Sequence, residues 1–194
     1  MNFTQRIAEA ALTFEDVFGV GSLTNRVRPL VEWWILNRGD VRNMLNYINS
    51  NYRTVNEMIY GAGPAMYFSV GSEMENNATA TIHELSLNMY RAIDDERGSR
   101  ETWVSTIDQF NLKGGMVAYE GGPHTPSANT PDAPNLATKI TMHRTEYMPA
   151  QMLYNARENF MELGAGMFMH FTLSGDYCRY GAWGLTDDLA YPDR

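Results

Sequence analysis

The chain has 194 residues, a net charge of -8 and a sequence pI of about 4.9, and 12% of its residues are aromatic, with 11 Tyr and 4 Trp. That length suits one domain able to bury a sizeable core, while the acidity leaves no basic stripe for nucleic-acid phosphates or an anionic membrane surface. Cys178 is the single cysteine, which excludes an internal disulfide framework and a cysteine-rich metal site.

No stretch approaches the roughly 20 apolar residues of a spanning helix, and the N-terminal MNFTQRIAEA lacks the basic region and apolar core of a signal peptide. Ile7, Ala11, Phe14 and Phe18 recur at helical spacing, so the chain opens on an amphipathic helix that ends near Gly19. Arg26 to Ile35 reads as a strand with Pro29 early in it, where a missing donor is tolerated. Trp33 and Trp34 would then point to opposite faces. Asp40 is placed as the N-cap of a helix with Val41, Met44, Leu45 and Ile48 on its buried face. The next strand region, Asn56 to Val70, is interrupted by Gly61-Ala62-Gly63-Pro64, read as a bulge or split.

Ile82, Leu85, Met89 and Ile93 mark a long helix, which Gly98-Ser99 resets before Trp103, Ile107 and Phe110 resume the pattern. Met116 to Tyr119 is an apolar run of strand length between two glycine pairs, and it delivers Glu120 at its end. A long loop follows, from Gly121 to about Thr145. Pro149 suits the first turn of a helix that buries Met152, Leu153, Ala156, Phe160 and Leu163, and Met167 to Phe171 reads as a last strand. Strand and helix alternate throughout, so a parallel sheet of four strands is expected.

In parallel α/β architectures chemistry gathers at the carboxyl ends of strands, which makes Glu120 a candidate catalyst. The alternative is a carboxylate merely solvated or salt-bridged at a strand end. The four histidines, His83, His124, His143 and His170, show no metal-ligand spacing. Asp176, Asp187 and Asp188 admit a calcium reading, but loop acids of this kind are usually solvated. Phosphate-cradling glycine loops and Gly-x-Ser-x-Gly are absent, Cys178 has no flanking signature of reactivity, and no cofactor is expected.

Five stretches occur together and in order: Phe18-Gly19 with Arg26-Val27, Ala65 to Phe68, Val117 to His124, Met169 to Thr172, and Tyr180 to Leu185. As a set they resemble the barrel domains of large secreted bacterial proteins described as cellulose-binding or glycoside-hydrolase-like, related to the clan A (β/α)8 hydrolases. The resemblance implies an α/β fold, a partial (β/α)8 (TIM) barrel covering strands five to eight in one partial domain over residues 1–194. Its missing half, including an Asn-Glu acid/base pair on strand four, would lie upstream in a secreted parent. It also implies a carbohydrate partner, self-association of the half-barrel through its open edges, and a retaining double displacement with Glu120 as nucleophile. Without the second carboxyl group, this chain by itself would be inactive.

On the same resemblance, Tyr67 would donate to Glu120 and keep it ionised; its other reading is a packed aromatic. Trp183 would stack on a sugar face or serve as a core aromatic. His124 would hydrogen-bond a sugar hydroxyl or stabilise its loop, and His170 is a core histidine or a ligand contact. Only one of Trp33 and Trp34 can face inward, and Trp33 is expected to join them as a substrate-binding residue. A non-catalytic carbohydrate-binding or scaffold domain is the alternative function. A self-contained α/β interaction protein, in which Glu120 is structural, is a further one.

Overall fold

The computed structural model describes residues 3–127 and 129–191. The elements in chain order are α1 (Phe3–Phe18), β1 (Leu30–Trp33), α2 (Arg38–Asn51), α3 (Val55–Met58), β2 (Gly61–Pro64), β3 (Met66–Phe68), α4 (Ser72–Glu75), α5 (Ile82–Asp108), β4 (Gly121–Pro123), α6 (Leu136–Met142) and α7 (Tyr147–Glu158). The chain divides into two compact units: Met1–Ala65 with Ser99–Tyr119 and Leu163–Phe168, and Met66–Gly98 with Glu120–Glu162 and Met169–Arg194.

The four-stranded partial barrel does not form. The fold is mixed α/β, about 48% helix, with two short two-stranded parallel sheets. In the first unit β1 pairs with β2, Leu30 opposite Gly61; in the second β3 pairs with β4, Met66 opposite Gly121. Met116 to Tyr119 contributes only two single bridges, Ala62 to Met116 and Ala118 to Phe168. Its apolar character reflects burial, since Met116, Val117 and Ala118 are all at most 1% exposed. A short buried run carries no signal that separates a paired strand from a buried connection. Met167 to Phe171 likewise forms no strand.

The glycines at 61 and 63, expected to interrupt a strand, are instead part of β2 itself. A Cβ at Gly61 would stand 2.6 Å from Val117 Cγ2, and one at Gly63 would collide with the Val117 carbonyl oxygen. Glycine is there because another stretch of backbone lies against the strand.

Among the helices of the first unit, α2 buries Val41, Met44, Leu45 and Ile48, the stripe its sequence predicts. Asp40 is not its N-cap. It sits in the first turn and accepts the Trp33 indole N–H at 3.1 Å. Helix α1 is rotated from expectation: Ala8, Ala11 and Glu15 are buried, whereas Phe14 and Phe18 are exposed and stack on each other at 6.3 Å. Glu15 pulls the helix round because its carboxylate is paired with the Arg53 guanidinium and accepts the Gly21 N–H at 3.1 Å. These contacts hold the carboxyl below its ordinary range, Arg53 foremost.

Helix α5 runs unbroken through Gly98. Thr81 and Glu84 close a reciprocal capping box at its start, Thr81 N–H to Glu84 Oε2 at 2.9 Å and Glu84 N–H to Thr81 Oγ1 at 3.2 Å. One glycine in a helix costs only about 1 kcal/mol against alanine, too little to break a helix that buries Leu85, Met89 and Ile93 before it and Trp103 and Ile107 after it.

The core of the second unit is Phe68, Val70, Ala80, Leu85, Met89, Ile93, Met142 and Met148. Here too the helix face differs from the apolar pattern. Helix α7 buries Met148, Gln151 and Asn155 and leaves Leu153 exposed. Gln151 Nε2 donates to Ser86 O and Oγ, both at 2.8 Å, which satisfies its donor side, while its Oε1 is buried without a partner.

Candidate functional site

Strand β3 sorts its side chains by pleat. Met66 and Phe68 are buried, while Tyr67 between them is half-buried on the other face. Opposite it, Gly122 has a φ of +141°, a value that favours glycine, and a Cβ there would come within 2.7 Å of His170 Cε1. The bare backbone at Gly122 is what admits the imidazole. His124 N–H then donates to Phe68 O at 2.7 Å and carries the ladder one bond past β4.

Around this strand end four rings meet. Tyr67 lies 5.5 Å from His124, His124 is stacked 6.0 Å from Trp183, and Phe171 meets Trp183 edge-on at 6.1 Å. Trp183 O accepts from Thr172 N–H at 2.9 Å and from His170 Nε2 at 3.1 Å. A carbonyl only accepts, so the His170 proton is on Nε2.

The same logic sets His124. An indole N–H only donates, and Trp183 Nε1 stands 3.2 Å from His124 Nδ1, so Nδ1 is the acceptor and the proton is on Nε2. That Nε2–H faces Ser127 Oγ at 3.3 Å. Ser127 Oγ also accepts the Asn129 N–H at 3.2 Å. This tautomer leaves His124 no lone pair toward Ser127, so the pair is not a serine nucleophile with its base. Burial holds both His124 and His170 below the ordinary histidine range; the Glu75 carboxylate works against this for His124, and the bond to Trp183 O does so for His170.

A recess of about 250 Å³ beside His124 is lined by Ser69, Glu75, Ser127, Asn129 and Thr130. Glu75 Oε1 accepts from Thr130 Oγ1 and from the fully buried Lys139 Nζ, the latter at 3.1 Å. The recess therefore offers hydroxyl-scale donors and acceptors around one neutral imidazole.

The loop behind His124 is pinned by a second histidine. His143 is buried, its Nε2–H donates to Thr125 O, and its ring lies 5.3 Å from Tyr177. Its Nδ1 is buried without a partner. Burial pushes the imidazole down to about 4. The unfolded chain therefore binds a proton that the folded chain refuses. The His143 contribution is complete above about pH 6.5 and is lost as the pH falls toward about 4, a loss on the order of 3 kcal/mol. Urea midpoints measured across that range should show the slope, and His143→Gln should flatten it; an unchanged slope in the variant would assign the pH dependence elsewhere.

Of the residues singled out from sequence, Tyr67, His124, His170 and Trp183 are brought together. Glu120 stands one residue before β4, half-buried; its carbonyl accepts the Met66 N–H at 2.8 Å, and its carboxylate makes no hydrogen bond or ion pair among the described residues. Trp33 belongs to the first unit, 5.2 Å from Phe3, while Trp34 is exposed. His170 is half-buried and bonded to Trp183 O rather than enclosed in a core strand. Sequence reasoning missed Phe171, although it adjoins His170, and Ser127, which nothing distinguishes within its loop.

A cavity of about 820 Å³ is lined by Arg144, Asp176, Tyr177, Cys178, Asp187 and Asp188. Its one cation is spent on Asp187, through Arg144 Nε at 2.9 Å and Nη2 at 2.7 Å. The calcium reading of these acids finds no support: no group of three or more His, Cys, Asp or Glu able to hold a metal ion occurs among the described residues. No described helix is long and apolar enough to cross a membrane. Compared with known proteins, the chain matches no family model, no curated protein and no solved structure.

Proposed function

We propose that the second unit binds uncharged carbohydrate, with the rings of Tyr67, His124, Trp183 and Phe171 taking the CH-rich face of a sugar and the adjoining recess taking its hydroxyls. The carrying observation is the joined ring group, Trp183 hydrogen-bonded to His124 at 3.2 Å and stacked on it at 6.0 Å, beside a polar recess. Pyranoses present one apolar face and an edge of hydroxyls, and half-buried aromatics with a few placed polar groups suit both. The charged group lining the recess is the Glu75 carboxylate, and the imidazole beside it is neutral, so uronates are disfavoured.

The competing reading is glycoside hydrolysis, with Glu120 as the attacking carboxylate of a double displacement. That reaction takes a second carboxyl group about 5 to 5.5 Å away. The carboxylate lining the recess, Glu75, already has its Oε1 occupied by Lys139 and Thr130. Binding without turnover is therefore the reading adopted.

Affinity electrophoresis and calorimetry against β-glucan, xylan, mannan and polygalacturonate test it. Retention is expected on a neutral polymer and not on polygalacturonate. Trp183→Leu is expected to weaken binding by about tenfold or more, equivalent to roughly 1.4 kcal/mol, and Glu120→Gln to leave it unchanged. Full affinity in Trp183→Leu, or no retention on any polymer, would remove the proposal. Release of reducing sugar that disappears in Glu120→Gln would replace it with the hydrolase reading.

A further inference from the structure

The first unit holds a separate cavity of about 350 Å³ between the start of α1, the end of β1 and one face of α2. Asp40, Asn43 and Tyr47 line it from α2 at positions i, i+3 and i+7, which share a helix face. Phe3 and Trp33 complete the wall, their rings 5.2 Å apart and tilted at 47°. Trp33 Nε1–H donates to Asp40 Oδ2 at 3.1 Å, which fixes the indole edge against the carboxylate.

We propose that this cavity binds an organic cation of the quaternary ammonium type. Three aromatic rings and one carboxylate line it, and no Lys, Arg or His does. Arg38 and Arg42, two residues either side of Asp40 on α2, lie off its face. Asp40 makes no ion pair among the described residues, so its charge is left for a ligand. Ring quadrupoles attract a cation placed over their faces, and several rings act together.

The lining also selects which cation. A hard divalent cation such as calcium or magnesium takes six or more oxygen ligands, and no group of three or more His, Cys, Asp or Glu able to hold a metal ion occurs among the described residues. A primary ammonium brings three N–H donors that each want an acceptor; Asp40 Oδ2 already accepts from Trp33, and the other polar groups in the lining are Thr4, Asn43 and Tyr47. A quaternary ammonium carries charge with no N–H to satisfy, and its methyl groups suit the rings. The site is independent of the carbohydrate face in the second unit.

Calorimetric titration of the full chain with choline and with its neutral carbon isostere, a tert-butyl group replacing trimethylammonium, separates charge from shape. Choline is expected to bind at least about tenfold more tightly than the isostere. Trp33→Leu is expected to weaken choline by a similar factor while the thermal melt stays cooperative and polysaccharide retention is unaltered. Because Asp40 lies in the first turn of α2, Asp40→Asn is read against Tyr47→Leu, which leaves that turn intact; both should weaken choline. Equal binding of choline and isostere, no binding of choline, or full choline affinity in folded Trp33→Leu would each overturn the proposal.

Discussion

Gly63→Ala should destabilise the first unit by about 3 kcal/mol or more, a large part of the roughly 5 to 15 kcal/mol that holds a domain folded. The new Cβ would sit on the Val117 carbonyl oxygen, 3.0 Å from its carbonyl carbon and 3.2 Å from its nitrogen. These are backbone atoms, so no rotamer change relieves the clash. Val117 is fully buried, and its N–H donates to Ala62 O at 3.0 Å. Moving it away breaks that bond, and leaving it in place keeps the overlap.

Gly98→Ala is the internal control. Nothing lies within 4 Å of a Cβ there, and the residue is inside α5. It should gain about 0.5 to 1 kcal/mol by restricting the unfolded chain and favouring helix. Urea denaturation of the two variants should give midpoints displaced in opposite directions. Equal midpoints would mean that the approach of Val117 to β2 is not what requires glycine at 63.

Lys139→Met carries the second large effect, expected to cost about 2 to 3 kcal/mol because it takes the buried donor away from the Glu75 carbonyl and from a half-buried carboxylate that water can only partly reach. Lys139 is fully buried, its ammonium 2.6 Å from Glu75 O and 3.1 Å from Glu75 Oε1. Glu75 is the last residue of α4, so the lysine satisfies both a carboxylate and a helix-terminal carbonyl. Methionine fills much of the volume but donates nothing. Adding Glu75→Gln should recover part of the loss, and a double-mutant cycle should give a coupling of about 1 to 3 kcal/mol. A single variant within 1 kcal/mol of the parent would show the pair to be dispensable. The same substitution should also reduce sugar retention, since Glu75 lines the recess beside His124.

Much of the helical layout was legible in the chain. The stripe of α2 reads directly from Val41, Met44, Leu45 and Ile48, because every residue it buries is apolar. Helices α1 and α7 were placed correctly and rotated wrongly, since each buries polar side chains whose partners lie far along the chain. Arg53 meets Glu15, and Ser86 meets Gln151. Apolar periodicity cannot register a carboxylate that is buried because a distant guanidinium awaits it.

For the site, Tyr67, His124 and Trp183 stood out in the sequence, but Trp183 lies in no strand and the way the three rings meet was not legible. The indole that sets the His124 tautomer lies 59 residues away in sequence, and Ser127 gains its role only from the neighbours around it.

The sequence by itself determined where α1, α2, α5 and α7 run, that parallel pairing crosses between strands through helices, and that the chain carries a net negative charge, because these follow from local periodicity and charge; the short helices α3, α4 and α6 escaped it. Tertiary structure alone decided that pairing stops at two short sheets, that glycines at 61 and 63 are strand and not break, and that an indole governs an imidazole. Such outcomes depend on which backbone and side-chain groups arrive within about 3 Å of one another, and residue spacing along a chain does not encode that.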